Sequence, residues 1–350
     1  MRKYFLSLTV LTFLLFSVLV SAEDKSETKY YYIGNIGENL PVQMELSLDG
    51  SEVRGSYYYD KKGIPLTLSG QVSLKESTIK LSEIGDKKKK TGEFNGTFTP
   101  IPKGMGITIE GTWSSVDGTK EFPFIFTKVA NYDFSLIKQG KYSEAKWSYP
   151  QLISKDEVIQ NVSIKLRERM KPALEEFQKD AKEGFMTDVI TSTWLFTYDY
   201  SIEYYSEKLV SFTGLVYSYT GGAHGNTYFV SSNYTINDGD SKLLKLSDLF
   251  KKETNYVTVI SELIIKDLHK QKAGWVVNGE ITSLKEDEIG PLALSPRGIQ
   301  FAFAPYAVGP YSDGAFFVTI AYEDLKDIIN PETPLSQFAV SSEAESQVEK

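Results

Sequence analysis

The sequence has no cysteine and only two histidines in 350 residues. Without a thiol there is no disulfide, no thiolate metal site, no cysteine nucleophile and no lipid-modified cysteine. Two histidines, His224 and His269, fall short of the three protein ligands that catalytic zinc usually takes, so no metal is expected. The common catalytic motifs are missing too: there is no G-x-S-x-G elbow and no H-E-x-x-H pair. Among 46 acidic residues no local spacing marks a carboxylate pair for glycoside hydrolysis. No cofactor, no catalytic residue and no enzymatic activity are expected from these absences.

Long apolar runs are equally scarce. The single one, residues 5–20, follows Arg2 and Lys3 and ends at Val20-Ser21-Ala22, after which the chain turns polar. A basic start, an apolar stretch and small residues at the cleavage positions are the layout of a secretory signal peptide over residues 1–22. The competing reading, an uncleaved anchor, requires about 20 apolar residues, more than this run supplies. Export, with cleavage near Ala22, is expected, to the periplasm or the exterior, with no membrane association afterwards. Removing the first 22 residues leaves 328 and takes the net charge from −8 to −10. An acidic surface argues against nucleic acid and anionic membranes as partners and favours a cationic one, although acidity also serves solubility.

What is present divides the chain. Over residues 23–130 the pattern is short alternating runs between turns: Val42, Met44, Leu46 and Leu48; Ile64, Leu66 and Leu68; Met105, Ile107 and Ile109, continued by Trp113; Phe122, Phe124 and Phe126. Strands at about 8–12-residue spacing with turn signals between them predict a small all-β barrel or sandwich. From residue 145 the character changes. Ser154 is a plausible N-cap, and Val158, Val162, Leu166 and Met170 recur at helical spacing, with Pro172 expected to bend or interrupt the helix. Trp194, Phe196, Tyr198, Tyr200, Ile202 and Tyr204 then occupy every second position of a strand, followed by strands at 209–219, from 227, at 299–303 and at 316–320. A helix is predicted around 257–268 and a short one near 324–329. This mixture is an α+β region, an antiparallel sheet with packed helices, read as a pair of domains at 145–240 and 241–330. The Ser- and Glu-rich tail at 335–350 is expected to be disordered.

Two loops carry candidate chemistry. In "YTGGAHGN", residues 219–226, Gly221, Gly222, Gly225 and Asn226 tolerate positive φ and hold His224 between them. His224 is then a general base, a ligand-facing hydrogen-bonding group, or a brace bonded to a nearby carbonyl; the glycine amides suit an anion-binding nest. The loop joins strand to strand and lacks the lysine of a phosphate loop. In "PYAVGPYSDG", residues 305–314, Tyr306, Pro310 and Tyr311 stand on a glycine- and proline-containing loop. Rigid tyrosines bury large area at small entropic cost and suit sugars and protein clefts. Two tyrosine triplets, 30–32 and 57–59, read instead as ordinary strand residues.

The segments "YPQL", "YSYTGGAHGN", "LKLSDLF", "FAFAPYAVGPYSDG" and "VTIAYEDL", in that order over residues 145–330, resemble a paired domain of unknown function. That pair is found in the extracytoplasmic part of the lysozyme-sensing anti-sigma factor RsiV and in the peptidoglycan deacetylase PdaC. The resemblance implies binding rather than catalysis, with lysozyme or a peptidoglycan glycan as partner and with Tyr219, His224, Asn226, Tyr306, Pro310 and Tyr311 as candidate ligand-binding residues. No anti-sigma segment is seen before the apolar run and no deacetylase domain after residue 330, so neither transcriptional control nor deacetylation is expected. The alternatives are a cell-wall hydrolase using His224 with a carboxylate and a structural envelope protein without a small ligand.

Overall fold

The structure is a computed structural model and describes residues 28–85, 88–99, 101, 104–139, 142–186 and 192–339. The expected signal peptide at 1–22 lies outside the described residues.

Eight antiparallel strands come first: β1 (Thr28–Ile36), β2 (Leu40–Asp49), β3 (Glu52–Tyr59), β4 (Leu66–Ser73), β5 (Thr78–Ile84), β6 (Lys90–Phe98), β7 (Thr108–Ser115) and β8 (Glu121–Gln139). Each pairs with the next, and β1 pairs back onto β8, so the sheet closes into an up-and-down barrel. Closure removes the exposed edges that an open sheet must protect. Tyr30, Tyr32, Val42, Met44, Leu46, Val53, Tyr57, Leu68, Leu81, Phe94, Ile109, Phe124 and Phe126 fill the interior. The three residues Tyr30, Tyr31 and Tyr32 are all buried because β1 is covered on both faces: Tyr30 and Tyr32 belong to the barrel core, while Tyr31 points into the core of the next unit.

The barrel is not followed by a linker. Strand β8 runs through residue 130 without a break, its first part pairing with β7 and β1 and its second with β9 (Ser143–Leu152). Beyond β9 the helix α1 (Glu157–Met186) crosses over to β10 (Trp194–Tyr205), which pairs with β9 in parallel, the one departure from the antiparallel expectation among the described pairings. Strands β11 (Leu209–Tyr219), β12 (Asn226–Asn237) and β13 (Asp240–Leu243) complete this sheet. The cap of α1 is Asp156 rather than Ser154, since its carboxylate accepts the Val158 amide at 2.8 Å. Pro172 does not interrupt the helix. It lies on the solvent side, where water can satisfy the carbonyl it leaves unbonded. The opposite stripe, Ile159, Val162, Leu166, Met170 and Phe177, is buried.

A second antiparallel sheet, β14 (Leu292–Ser295), β15 (Gly298–Phe303) and β16 (Phe316–Ile320), packs against α2 (Tyr256–Gln271) around Ile260, Ile264, Leu268, Phe301 and Val318. Short helices α3 (Gly274–Val277), α4 (Tyr322–Leu325) and α5 (Ser336–Ala339) close the core. The expected disordered tail is corrected at its start: Leu335 is fully buried and Phe338 stacks on Tyr322 at 5.2 Å, so the chain is folded to 339. The rest of that tail, 340–350, lies outside the described residues.

Two polar joints set the parts against each other. Gln43, buried on the outer face of β2, exchanges hydrogen bonds with the backbone of Tyr205 (3.0 and 2.9 Å) and accepts one from the Tyr31 hydroxyl. Between the two sheets, Asn233 Nδ2 donates to the Leu292 carbonyl at 2.9 Å and the Leu294 amide donates to Ser211 Oγ at 2.8 Å. Buried groups bonded this way fix a relative position, because separating them leaves each one unsatisfied.

Candidate binding site

The second joint brings together the two loops singled out in the sequence. β11 and β12 run antiparallel to Ser218 and Asn226, and the residues between them form the hairpin tip. β15 and β16 leave the second sheet beside it, and Phe229 of β12 meets Phe317 of β16 edge to face at 5.2 Å. Across this contact the imidazole of His224 stacks on the Tyr311 ring, centroids 3.9 Å apart and planes 20° from parallel. Tyr306 also meets Tyr311, centroids 5.5 Å apart and planes tilted by 42°. The result is a ladder of three rings drawn from two loops.

Hydrogen bonds hold the ladder. The Gly225 carbonyl accepts the Tyr311 hydroxyl at 3.1 Å and His224 Nδ1 at 3.0 Å. Because a carbonyl only accepts, Nδ1 is the donor, and in the neutral tautomer that makes this bond Nε2 of the exposed ring is an acceptor. Gly225 is required by packing: a Cβ there would lie 2.5 Å from the ring of Tyr217. Its φ is not positive, in contrast to Gly221 and Gly222, which both turn at φ +96°. The second loop is pinned from behind, as Asp313 Oδ2 accepts the Gly274 amide at the start of α3 (3.0 Å) and the Val308 carbonyl accepts the Trp275 amide (3.2 Å).

Tyr306 stands out. It has φ +71° and is 53% exposed. A bulky residue in left-handed backbone carries strain of about 1–3 kcal/mol, and such strain gathers at ligand clamps and functional loops. Here the backbone holds an aromatic ring out in solvent instead of turning it inward.

Not every candidate faces outward. The Tyr219 hydroxyl bonds the Gly222 carbonyl at 3.2 Å and braces the hairpin. Pro310 opens the short turn Tyr311–Asp313 and sits near Gly274, so it shapes the loop. Asn226 begins β12 opposite Ser218. Sequence reading missed Tyr217 and Asp313, which hold the two loops; the spacing of "SDG" to a helix start 39 residues earlier gives no local signal. Among the described residues no group of three or more His, Cys, Asp or Glu is placed to hold a metal ion. None of their helices is long and apolar enough to cross a membrane.

Comparison with known proteins gives this geometry a family setting. Residues 137–227 match the family model described as Deacetylase PdaC, and residues 247–323 match Protein of unknown function (DUF3298). Peptidoglycan-N-acetylmuramic acid deacetylase PdaC of Bacillus subtilis (strain 168) is 26% identical over 198 residues, 56% of this chain and 41% of that protein. The chain therefore matches less than half of that relative's length. Two crystal structures of DUF3298 family proteins are similar in part. The one from Pseudomonas aeruginosa PAO1 has 18% identity, 58% of this chain and 93% of that one covered, and a TM-score of 0.38. The one from Bacteroides fragilis has 17% identity, 59% and 95% covered, and a TM-score of 0.39. His224 falls in the first matched segment and Tyr306 and Tyr311 in the second, so the ring ladder stands where the two meet. The chain thus carries the paired PdaC and DUF3298 domains, in that order and behind an eight-stranded barrel.

Proposed function

We propose that this chain is an exported, non-catalytic binding protein of the bacterial envelope that recognises lysozyme or a cell-wall glycan through the His224–Tyr311–Tyr306 edge. The observation that carries this reading is Tyr306, displayed on strained backbone beside the stacked His224–Tyr311 pair. Rings pre-set on two braced loops lose little entropy on binding, which suits insertion into a cleft or stacking on a sugar face. The relative that acts on peptidoglycan by name supports a cell-wall setting. The lysozyme version rests on the resemblance to the anti-sigma factor's sensing region and on charge: a chain of net charge −8 meets a basic enzyme with favourable steering.

The competing reading makes His224 a general base, since Nε2 is free to accept a proton. One experiment separates them. Wild type and His224→Ala are titrated calorimetrically with a c-type lysozyme and with soluble peptidoglycan fragments, while released acetate and new reducing ends are assayed. Saturable binding without turnover supports the binding reading. Turnover that disappears in a folded His224→Ala variant overturns it in favour of hydrolysis.

A further inference from the structure

Strand β8 loses a neighbour where it leaves the barrel. Its pairing with β1 ends at Asn131, because β1 stays with β2 as far as Thr28 while β8 turns into the next unit. From there to Gln139 it pairs with β9 alone among the described residues. The phase of the open edge follows from one bond. The Val129 carbonyl accepts the Ile153 amide at 2.7 Å, and the pairing runs on to Gln139 and Ser143 without a shift. Opposed residues alternate between hydrogen-bonded and non-hydrogen-bonded pairs, so Asp133, Ser135, Ile137 and Gln139 aim their backbone groups at β9. Phe134, Leu136 and Lys138 therefore aim theirs at the open side. Their side chains share the surface turned away from α1, since Ala145 and Tyr149, opposite Ile137 and Asp133, belong to the core under α1. On that surface Phe134 is 52% exposed and Leu136 is partly exposed.

Natural edge strands are blunted by prolines, bulges or unpaired charges. Residues 133–139, "DFSLIKQ", contain no proline and no bulge, and the single charge on the outer surface, Lys138, is paired with Glu144 at 3.6 Å. The run is also its own complement. Two copies related by a two-fold axis perpendicular to the sheet keep the same surface uppermost, so outward-aimed residues oppose outward-aimed residues. With the axis at Leu136, Leu136 meets the partner's Leu136 and Phe134 meets the partner's Lys138. On the α1 side Ser135 meets the partner's Ile137, and Asp133 meets the partner's Gln139. No like charges are opposed in this register. Phe134 and Leu136 of both copies gather at its centre, flanked on each side by a Lys138–Glu144 pair. The register ends at Asp133, short of the residues that β1 occupies.

We infer that this edge pairs with the same edge of a second copy of the chain, joining the two sheets into one antiparallel sheet through residues 133–139. A glycan does not fit the edge, because it lacks amides and carbonyls repeating at the strand period. The hairpin tip carrying His224 lies at the Gln139 end of the sheet, as the pairs Gln139–Ser143, Ser143–Trp194 and Leu195–Tyr219 show. Antiparallel joining sends the two tips to opposite ends, so the dimer presents two His224–Tyr311–Tyr306 edges facing apart. Residues 133–139 take no part in that site, and the pairing stands or falls separately from it.

The test is sedimentation equilibrium of the chain from residue 23 onward, which contains every described residue, over a range of concentrations. Wild type should show a monomer–dimer equilibrium. Leu136→Pro removes one outward N–H and leaves the bonds to β9 in place. It should raise the dimer dissociation constant at least about tenfold, with the melting midpoint unchanged where both proteins are monomeric. Phe134→Lys sets a lysine against the partner's Lys138 and should act in the same direction by a similar factor, without a proline. Because the chain has no cysteine, Leu136→Cys introduces a sole thiol. Cα atoms of a hydrogen-bonded pair stand about 5.5 Å apart, within disulfide reach. Oxidation should link this variant into dimers, while Ile164→Cys, exposed on α1, should stay unlinked. A wild-type chain that is monomeric at every concentration would leave the edge to some other strand and overturn the inference. So would a dimer that both edge variants leave intact, or Leu136→Cys linking no faster than Ile164→Cys.

Discussion

The barrel and the two-loop edge use tyrosine in opposite ways. In the barrel Tyr57 is buried, and its hydroxyl donates to Glu83 at 2.5 Å; Trp113 Nε1 donates to the same carboxylate at 2.8 Å. Tyr32 is buried with its hydroxyl on the Gly106 carbonyl at 2.9 Å. At the edge, Tyr306 keeps its ring in solvent on backbone that favours glycine. Residue type does not distinguish the two roles. What does is whether regular strand geometry turns the ring inward or a braced loop holds it out, which places cohesion in one region and display in the other.

The sharpest break in that contrast is truncation of each kind of ring. Tyr57→Ala opens a cavity in the barrel and removes a donor from buried Glu83, and should cost about 3–5 kcal/mol in denaturant unfolding. A loss below about 1 kcal/mol would mean that the barrel core is not close-packed around this ring. Next in size is Gly225→Ala, where the new methyl collides with Tyr217 beneath the hairpin. About 1–3 kcal/mol should be lost, and the second change Tyr217→Ala should recover part of it in a double-mutant cycle.

A third effect lies on the rim of the barrel. Burial raises Asp60 from 3.8 to about 6, and its Oδ1 has no hydrogen-bond partner. The folded chain thus holds a proton between about pH 4 and 6 that the unfolded chain has released. That contribution to stability is complete below about pH 4 and is lost as pH rises through about 6. Asp60→Asn should therefore stabilise the protein near pH 7.5 by about 1–2 kcal/mol, discounted for partial exposure, and the gain should vanish near pH 4. Thermal melts across that range check the sign. The smallest stability effect belongs to the edge: Tyr306→Gly should leave the unfolding free energy unchanged or raise it by up to about 1 kcal/mol, as backbone strain is relieved.

Much of this was legible from periodicity. The strand read at 209–219 is β11, with the same bounds, and the alternation of Val42, Met44, Leu46 and Leu48 marks residues that are all buried in the barrel. Alternation misled where it was extended past a strand end. Ile64 and Ile107 read as inward residues but are exposed, because the pleat stops fixing a side chain's direction outside a strand, whereas Phe122 is in β8 and is partly exposed at the strand's start, where it stacks on Trp113. Barrel closure through β1 and β8, the Gln43 joint and the Ser211–Asn233 bridge join residues distant in sequence, and no local pattern encodes such pairings. For the site, the two loops and their rings were identified, and the tip residue and its stacking partner do meet. That Tyr219 and Pro310 serve the loops rather than the surface depended on hydrogen bonds and packing that only the folded chain shows.

The most direct measurement is a calorimetric titration of c-type lysozyme, and separately of soluble peptidoglycan fragments, into wild type and Tyr306→Gly, with melting midpoints taken on the same samples. The expected result is saturable binding of one ligand by wild type, weakened at least about tenfold in a variant that melts no lower. Equal affinity in the two proteins, or no binding of either ligand to wild type, would contradict a recognition role for the edge.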